Sequence, residues 1–154
     1  HLSIRRQRQM CIRDRPIPIV YPVHPRTRKR LRQQKILGKL SSSENVQVLP
    51  PLGYFDFLSL MKNCELMLTD SGGLQEEATA PLLRKPVLII RLSTERPEAV
   101  KAGFAEVVGV EKDKILAAME QALNERNNLP TISPFGDGAA GKRIINILIE
   151  EFRL

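Results

Sequence analysis

The chain has 154 residues, 42% hydrophobic and 27% charged, with a formal net charge of +7. That length suits one domain with a real core and is short for two, and no apolar run approaches the roughly 20 residues a membrane-spanning helix needs. Cys11 and Cys64 form no CxxC pair and there are only two histidines, so neither a metal nor a cofactor is expected, and a reducing cytoplasm suits such cysteine usage.

The charge is unevenly spread. Residues 1–15 carry Arg5, Arg6, Arg8, Arg13 and Arg15 against Asp14, so +4 of the +7 lies there and the remainder is mildly basic. This stretch has no periodicity that would give it a buried face. The run from Arg6 to Arg15 looks like translated sequencing-adapter read-through, a non-native scar outside the fold. An ordinary disordered basic tail is the alternative. The domain is therefore expected over residues 16–154.

Ile17 to Val23 alternates apolar residues with Pro18 and Pro22. Because proline cannot donate to a ladder, this reads as an edge strand. His24-Pro25 ends it. His24 either lines a ligand cleft at the strand's carboxyl end or caps the neighbouring turn. Arg26 to Leu40 is predicted as one helix carrying seven basic residues and no acid. No aromatics interleave with them, so a solvated face is the simpler reading than a nucleic-acid surface. Val46 to Leu49 is a short strand, and Pro50-Pro51-Leu52-Gly53 turns into a helix from Tyr54 to Lys62. In that helix Phe55, Leu58, Leu60 and Met61 supply core, while Phe57 is either core or a stacking surface for a base.

The most informative stretch is Leu66-Met67-Leu68-Thr69-Asp70-Ser71-Gly72-Gly73-Leu74-Gln75-Glu76-Glu77. An apolar run too short for a helix meets Asp-Ser-Gly-Gly and passes into helix formers, which reads as strand, tight turn and helix start. The first N–H groups of a helix lack internal partners, Gly72 and Gly73 permit close approach, and the Ser71 hydroxyl can donate; a phosphate would suit the place. Glu77, about one turn further on, could accept hydrogen bonds from a ribose diol. Alternatively, Asp70 or Ser71 caps the helix while Glu76 and Glu77 complement its dipole.

The helix is predicted to run on through Ala78 to Lys85. Pro86 then opens Val87-Leu88-Ile89-Ile90, a continuous apolar strand expected to be buried on both faces. Arg96 stands before Pro97, which suits a helix's first turn, so its guanidinium is expected at the same sheet edge as Ser71. There it could bind phosphate or pair with Glu95 or Glu98. Ala105 to Val110 is a further strand, and Lys112 to Asn124 a helix with Ile115, Leu116, Met119 and Leu123 on one stripe. Gly136-Asp137-Gly138-Ala139-Ala140-Gly141 matches G-x-G-x-x-G formally, but no strand precedes it, and a turn with Asp137 near the last helix explains it better. Ile144, Ile145, Leu148, Ile149 and Phe152 are predicted to form that helix's buried face.

Alternating strands and helices argue for an α/β domain, a Rossmann-like parallel sheet flanked by helices. Four ordered blocks then allow a comparison: Thr69 to Glu77, Lys85-Pro86-Val87-Leu88, Thr94 to Glu98, and Pro134-Phe135-Gly136-Asp137-Gly138. With Val23-His24-Pro25-Arg26-Thr27, they resemble the C-terminal half of UDP-N-acetylglucosamine 2-epimerases, over essentially residues 16–152. The link from Ala78 to Arg84 is about two residues longer than is usual in that family, and Leu52 replaces a more polar residue.

The resemblance implies the C-terminal domain of a glycosyltransferase-B-like fold, present without its N-terminal domain. It implies Ser71, Gly72 and Gly73 on the pyrophosphate of UDP, Glu77 on the ribose, Arg96 on the phosphate side and Phe57 against the uridine. The family interconverts UDP-N-acetylglucosamine and UDP-N-acetylmannosamine by eliminating UDP to a 2-acetamidoglucal and re-adding it. The acidic residues that handle the C2 proton belong to the N-terminal half, so no catalytic residue is assigned here. A homodimer is expected for the full-length protein, with UDP-N-acetylglucosamine or UDP as its partner and neither nucleic acid nor membrane. The alternatives are the nucleotide-binding half of a glycosyltransferase of the same architecture and a basic nucleic-acid-binding domain using Arg26 to Lys39.

Overall fold

The computed structural model describes residues 17–125 and 128–152. The tail expected at 1–15 lies outside the described residues. The chain divides into two compact units, one ending at Asp56 and the other starting at Phe57.

In the first unit β1 (Ile19–Pro22) pairs in parallel with β2 (Val46–Leu49), Ile19 opposite Val46 and Pro22 opposite Leu49. Parallel neighbours need a crossover, and it is made by α1 (Pro25–Gln33) and α2 (Ile36–Ser41). In a two-stranded sheet both strands are edges, which is where Pro22 is tolerated. The sequence predicts one helix here; the structure breaks it at Gln34 and Lys35. Lys35 adopts a left-handed φ of 57°, at a cost of about 1–2 kcal/mol. The break is not written in the sequence, because the residue best suited to positive φ, Gly38, lies inside α2. Arg26, Lys29, Arg30 and Arg32 of α1 are exposed.

In the second unit β3 (Met67–Thr69), β4 (Val87–Ile89) and β5 (Ala105–Val107) form a parallel sheet in the order β3-β4-β5. The middle strand is buried on both faces as expected: Val87, Leu88 and Ile89 are 1%, 2% and 0% exposed. Alternation along β4 divides the core in two. Val87 and Ile89 pack with Met61, Met67 and Ala78, while Leu88 packs with Val108 and Ala118. Met61 comes from α3 (Tyr54–Asn63) and Ala118 from α6 (Lys112–Glu125); between them in the chain lie α4 (Gly72–Glu77) and α5 (Pro97–Lys101), and α7 (Ala140–Phe152) ends the described chain.

Several side chains fall differently from the sequence expectation. Phe55 is 83% exposed and meets Tyr54 edge to face at 5.7 Å; the inward stripe of α3 is Phe57, Leu58 and Met61. On α6 the inward stripe is Ile115, Ala118, Met119 and Ala122, and Leu116 points away. The α4 helix does not continue to Lys85 but stops at Glu77. Pro81 explains this, since a proline four residues on lacks the N–H that would bond the Glu77 carbonyl, and its ring would clash with that carbonyl. The chain then turns through Arg84, at φ 47°, whose Nε and Nη2 donate to the carbonyls of Pro130 and Leu129 at 2.9 and 2.7 Å.

The last helix forms as predicted, but its apolar face is not buried: Ile145 is 57%, Leu148 45% and Phe152 69% exposed. A 3.6-residue stripe identifies which face seeks cover and says nothing about what covers it. Leu148→Ser in this chain is therefore expected to change stability by no more than about 0.5 kcal/mol in urea unfolding. A loss of about 2 kcal/mol would mean the face is packed. Before α7, Gly136 and Gly138 take φ values of 105° and 81° on either side of Asp137. Asp137 accepts the Ala139 N–H at 3.0 Å and pairs with Arg143 at 2.5 Å, and those two contacts, in that order, hold its carboxyl below the usual range. These glycines serve a turn.

Candidate functional site

Because β3 and β4 are parallel neighbours, the loops that follow them leave the sheet at the same edge. The Ile90 N–H donates to the Thr69 carbonyl at 3.1 Å there. One loop is Asp70-Ser71 leading into α4; the other runs from Ile90 to Arg96 and into α5. Two segments about twenty residues apart in sequence are thus brought together by topology alone.

The first loop is held from below. Thr69 is 6% exposed, and its Oγ1 accepts the Ser71 N–H at 3.0 Å. Ser71 occupies the N-cap position with extended φ and ψ of −87° and 125°, yet its hydroxyl makes no capping bond. A Cβ on Gly73 would meet nothing within 4 Å, whereas one on Gly72 would stand 2.6 Å from Glu95 Oε1. Of the two glycines, the crowded one is Gly72.

A fully buried polar residue ties the loops together. Gln75 donates from Nε2 to the Ser71 carbonyl at 3.2 Å, and its Oε1 accepts the Thr94 hydroxyl at 2.5 Å. Thr94 Oγ1 in turn accepts the Arg96 N–H at 3.0 Å, which fixes the residue before Pro97. Arg96 directs its Nε to the Glu76 carboxylate and its Nη1 to the Glu95 carbonyl at 3.1 Å. Arg91 Nη1 lies 2.6 Å from Glu95 Oε2 and 3.4 Å from the Asp70 carbonyl. The Glu95 backbone N–H first, and then the Arg91 guanidinium, hold the Glu95 carboxyl below the usual carboxylate range.

Ser71, Gly72, Gly73 and Arg96 are thus brought to one edge, as expected. The carboxylate that meets Arg96 is Glu76, however, and neither Glu95 nor Glu98. Sequence proximity suggested those two, but the loops set Arg96 against the next helix back. Glu77 is half-buried at the last position of α4. Phe57 is partly buried and packs one side against the Met61, Met67, Ala78, Val87 and Ile89 cluster. His24, in the first unit, is exposed and caps α1 by accepting the Arg26 N–H on Nδ1 at 3.3 Å. Sequence reasoning missed Gln75, Thr94 and Arg91. The available signal was a lone amide one turn beyond Ser71 and a threonine two residues before Arg96, the spacing of a side-chain turn. Among the described residues no group of three or more His, Cys, Asp or Glu is placed to hold a metal, and no helix is long and apolar enough to cross a membrane.

A cavity of about 260 Å³ opens at the opposite edge, lined by Pro86 and Val87 at the start of β4 and by Phe104, Ala105 and Leu129. Glu106, Gln121, Glu125 and Asn128 also line it, whereas none of Ser71, Gly72, Gly73 and Arg96 does.

Comparison with known proteins bears on the same segments. The family model described as UDP-N-acetylglucosamine 2-epimerase matches residues 4–149. The UDP-N-acetylglucosamine 2-epimerase of Methanocaldococcus jannaschii is 45% identical over 130 residues, covering 84% of this chain and 34% of that protein. A solved structure of the M. jannaschii enzyme superposes with a TM-score of 0.78 at 44% identity, over 86% of this chain and 36% of that one. A second structure of it, in complex with UDP-GlcNAc and UDP, gives 0.75 at the same identity and coverage. The chain spans about a third of the length of the curated relatives it matches. With the match across nearly its whole length and the parallel sheet they share, the chain belongs to the UDP-N-acetylglucosamine 2-epimerase family.

Proposed function

We propose that this chain is the UDP-sugar-binding C-terminal half of an enzyme that interconverts UDP-N-acetylglucosamine and UDP-N-acetylmannosamine. The observation that carries this reading is the convergence of Ser71, Gly72 and Gly73 with Arg96 at one sheet edge, linked through Gln75 and Thr94. The M. jannaschii relative was solved with UDP-GlcNAc and UDP, which supports a uridine diphosphate sugar as the ligand class.

In this assignment the Ser71 hydroxyl and the backbone at Gly72 and Gly73 receive the diphosphate, Arg96 faces its charge, Glu77 accepts from the ribose hydroxyls and Phe57 lies against the uracil. Elimination breaks the C1–O bond to UDP as a proton leaves C2, giving a 2-acetamidoglucal; UDP then re-forms the bond to C1 while a proton is delivered to the opposite face of C2, which inverts that carbon. Charge accumulates on the departing diphosphate, so fixed donors there lower the barrier. The proton-handling groups are assigned to the rest of the enzyme, and the chain by itself is expected to bind UDP weakly and not to epimerise. The full-length enzyme is read as a cytoplasmic homodimer.

Calorimetric titration of UDP into the 154-residue chain tests the assignment. Arg96→Ala and Glu77→Ala are each expected to weaken binding about tenfold, the usual worth of a hydrogen bond to a charged group. Binding that neither substitution alters would place the nucleotide elsewhere.

A further inference from the structure

Glu95 stands where the proposed diphosphate seat should be open. Its Oε1 lies 2.6 Å from the position a Cβ on Gly72 would take, so the space beside the one crowded glycine of the turn already holds a carboxylate. The other oxygen of that carboxylate is held by Arg91 at 2.6 Å, and Arg91 also reaches the Asp70 carbonyl at 3.4 Å. Arg96 is engaged by Glu76 and by the Glu95 carbonyl. Both arginines at this edge therefore carry internal carboxylate partners.

We infer that Glu95 is an internal counter-anion of the diphosphate seat, which an incoming diphosphate displaces, taking over Arg91 as a further ligand group. The inference rests on the proposed UDP site at Ser71 to Gly73. A phosphate oxygen accepts from a guanidinium as the Glu95 Oε2 does, so the exchange leaves Arg91 Nη1 with a charged acceptor. The Glu95 side chain is exposed, and its carbonyl is held separately by Arg96, so the carboxylate can swing out without disturbing the backbone that Thr94 and Arg96 anchor. The exchange makes Glu95 a determinant of selectivity: displacing it is worthwhile only for a ligand whose charge can replace its own, so uridine gains nothing from the seat and UDP does.

The test compares the unmodified chain with Glu95→Gln and with Glu98→Gln, a nearby exposed carboxylate that touches none of these groups, by titration with UDP, uridine monophosphate and uridine at low salt. Glu95→Gln is expected to bind UDP at least fivefold tighter and the monophosphate less so, with uridine unchanged and the gain shrinking as salt rises. Glu98→Gln is expected to leave all three as they were. An equal gain from Glu98→Gln, or the same gain for uridine, would reduce the effect to net charge or to general loosening and overturn the inference. Unchanged or weaker UDP binding by Glu95→Gln, beside normal binding by the unmodified chain and its loss in Arg96→Ala, would also overturn it and leave the UDP site standing. UDP binding by none of the chains would remove the site itself, and the inference with it.

Discussion

Gln75→Leu is expected to destabilise the second unit by about 2–3 kcal/mol and to weaken UDP binding more than tenfold. Gln75 is 0% exposed, and its amide is the link between the carbonyl of Ser71 and the hydroxyl of Thr94. Leucine fills a similar volume but can satisfy neither, and a buried polar group left without its partner costs about 1–3 kcal/mol. The loss of binding has a different origin. With the link gone, the Ser71 turn and the loop bearing Arg96 keep their sequences and lose their mutual position, and groups placed about 1 Å wrongly forfeit much of what they contribute to a charged ligand. Urea unfolding gives the first quantity and UDP titration the second. A variant as stable as the parent that binds UDP normally would show that the amide is incidental. Gln75→Glu separates the effects further, because it retains an acceptor for Thr94 and loses the donor to Ser71.

Phe104→Ala is expected to cost about 3–5 kcal/mol, enough to leave the second unit marginal at best. Phe104 is 2% exposed, just ahead of β5; its carbonyl accepts the Val87 N–H at 2.9 Å, and its own N–H donates to the Ala99 carbonyl at 3.0 Å. The ring lines an open cleft of about 260 Å³ at the start of β4 and β5, so truncation widens a space already open to solvent. The size of the loss depends on how far the surroundings close over the missing ring. Phe104→Leu, which retains most of the volume, is expected to cost about half as much. A shift in urea midpoint that is no larger for alanine than for leucine would show that the surroundings close over the gap.

Much of the second unit was legible because the relevant physics is local. The run Val87-Leu88-Ile89 is apolar without alternation and bounded by Pro86, so burial on both faces follows from composition and length. Pro97 opens a helix because its ring presets φ and its missing N–H is not needed there. The Ser71-Gly72-Gly73 turn is likewise where the sequence places it, at the end of a short apolar strand. The end of α4 was legible in principle, since Pro81 forbids continuation past Glu77, yet the apolar and helix-forming residues after it suggested otherwise.

The sequence by itself determined the strands, the glycine turn and the helix starts of the second unit, since each depends on the backbone preferences of a few adjacent residues. Only the tertiary structure decided which charges meet. Glu76 and Arg96 are twenty positions apart, and nothing in either segment marks the other; they pair because parallel β3 and β4 send their loops out of one edge. Glu95 acquires its place against Gly72 for the same reason. The stripe of α7 shows the complementary limit: periodicity specifies a face, but burial is a property of two surfaces, and one helix carries only one of them.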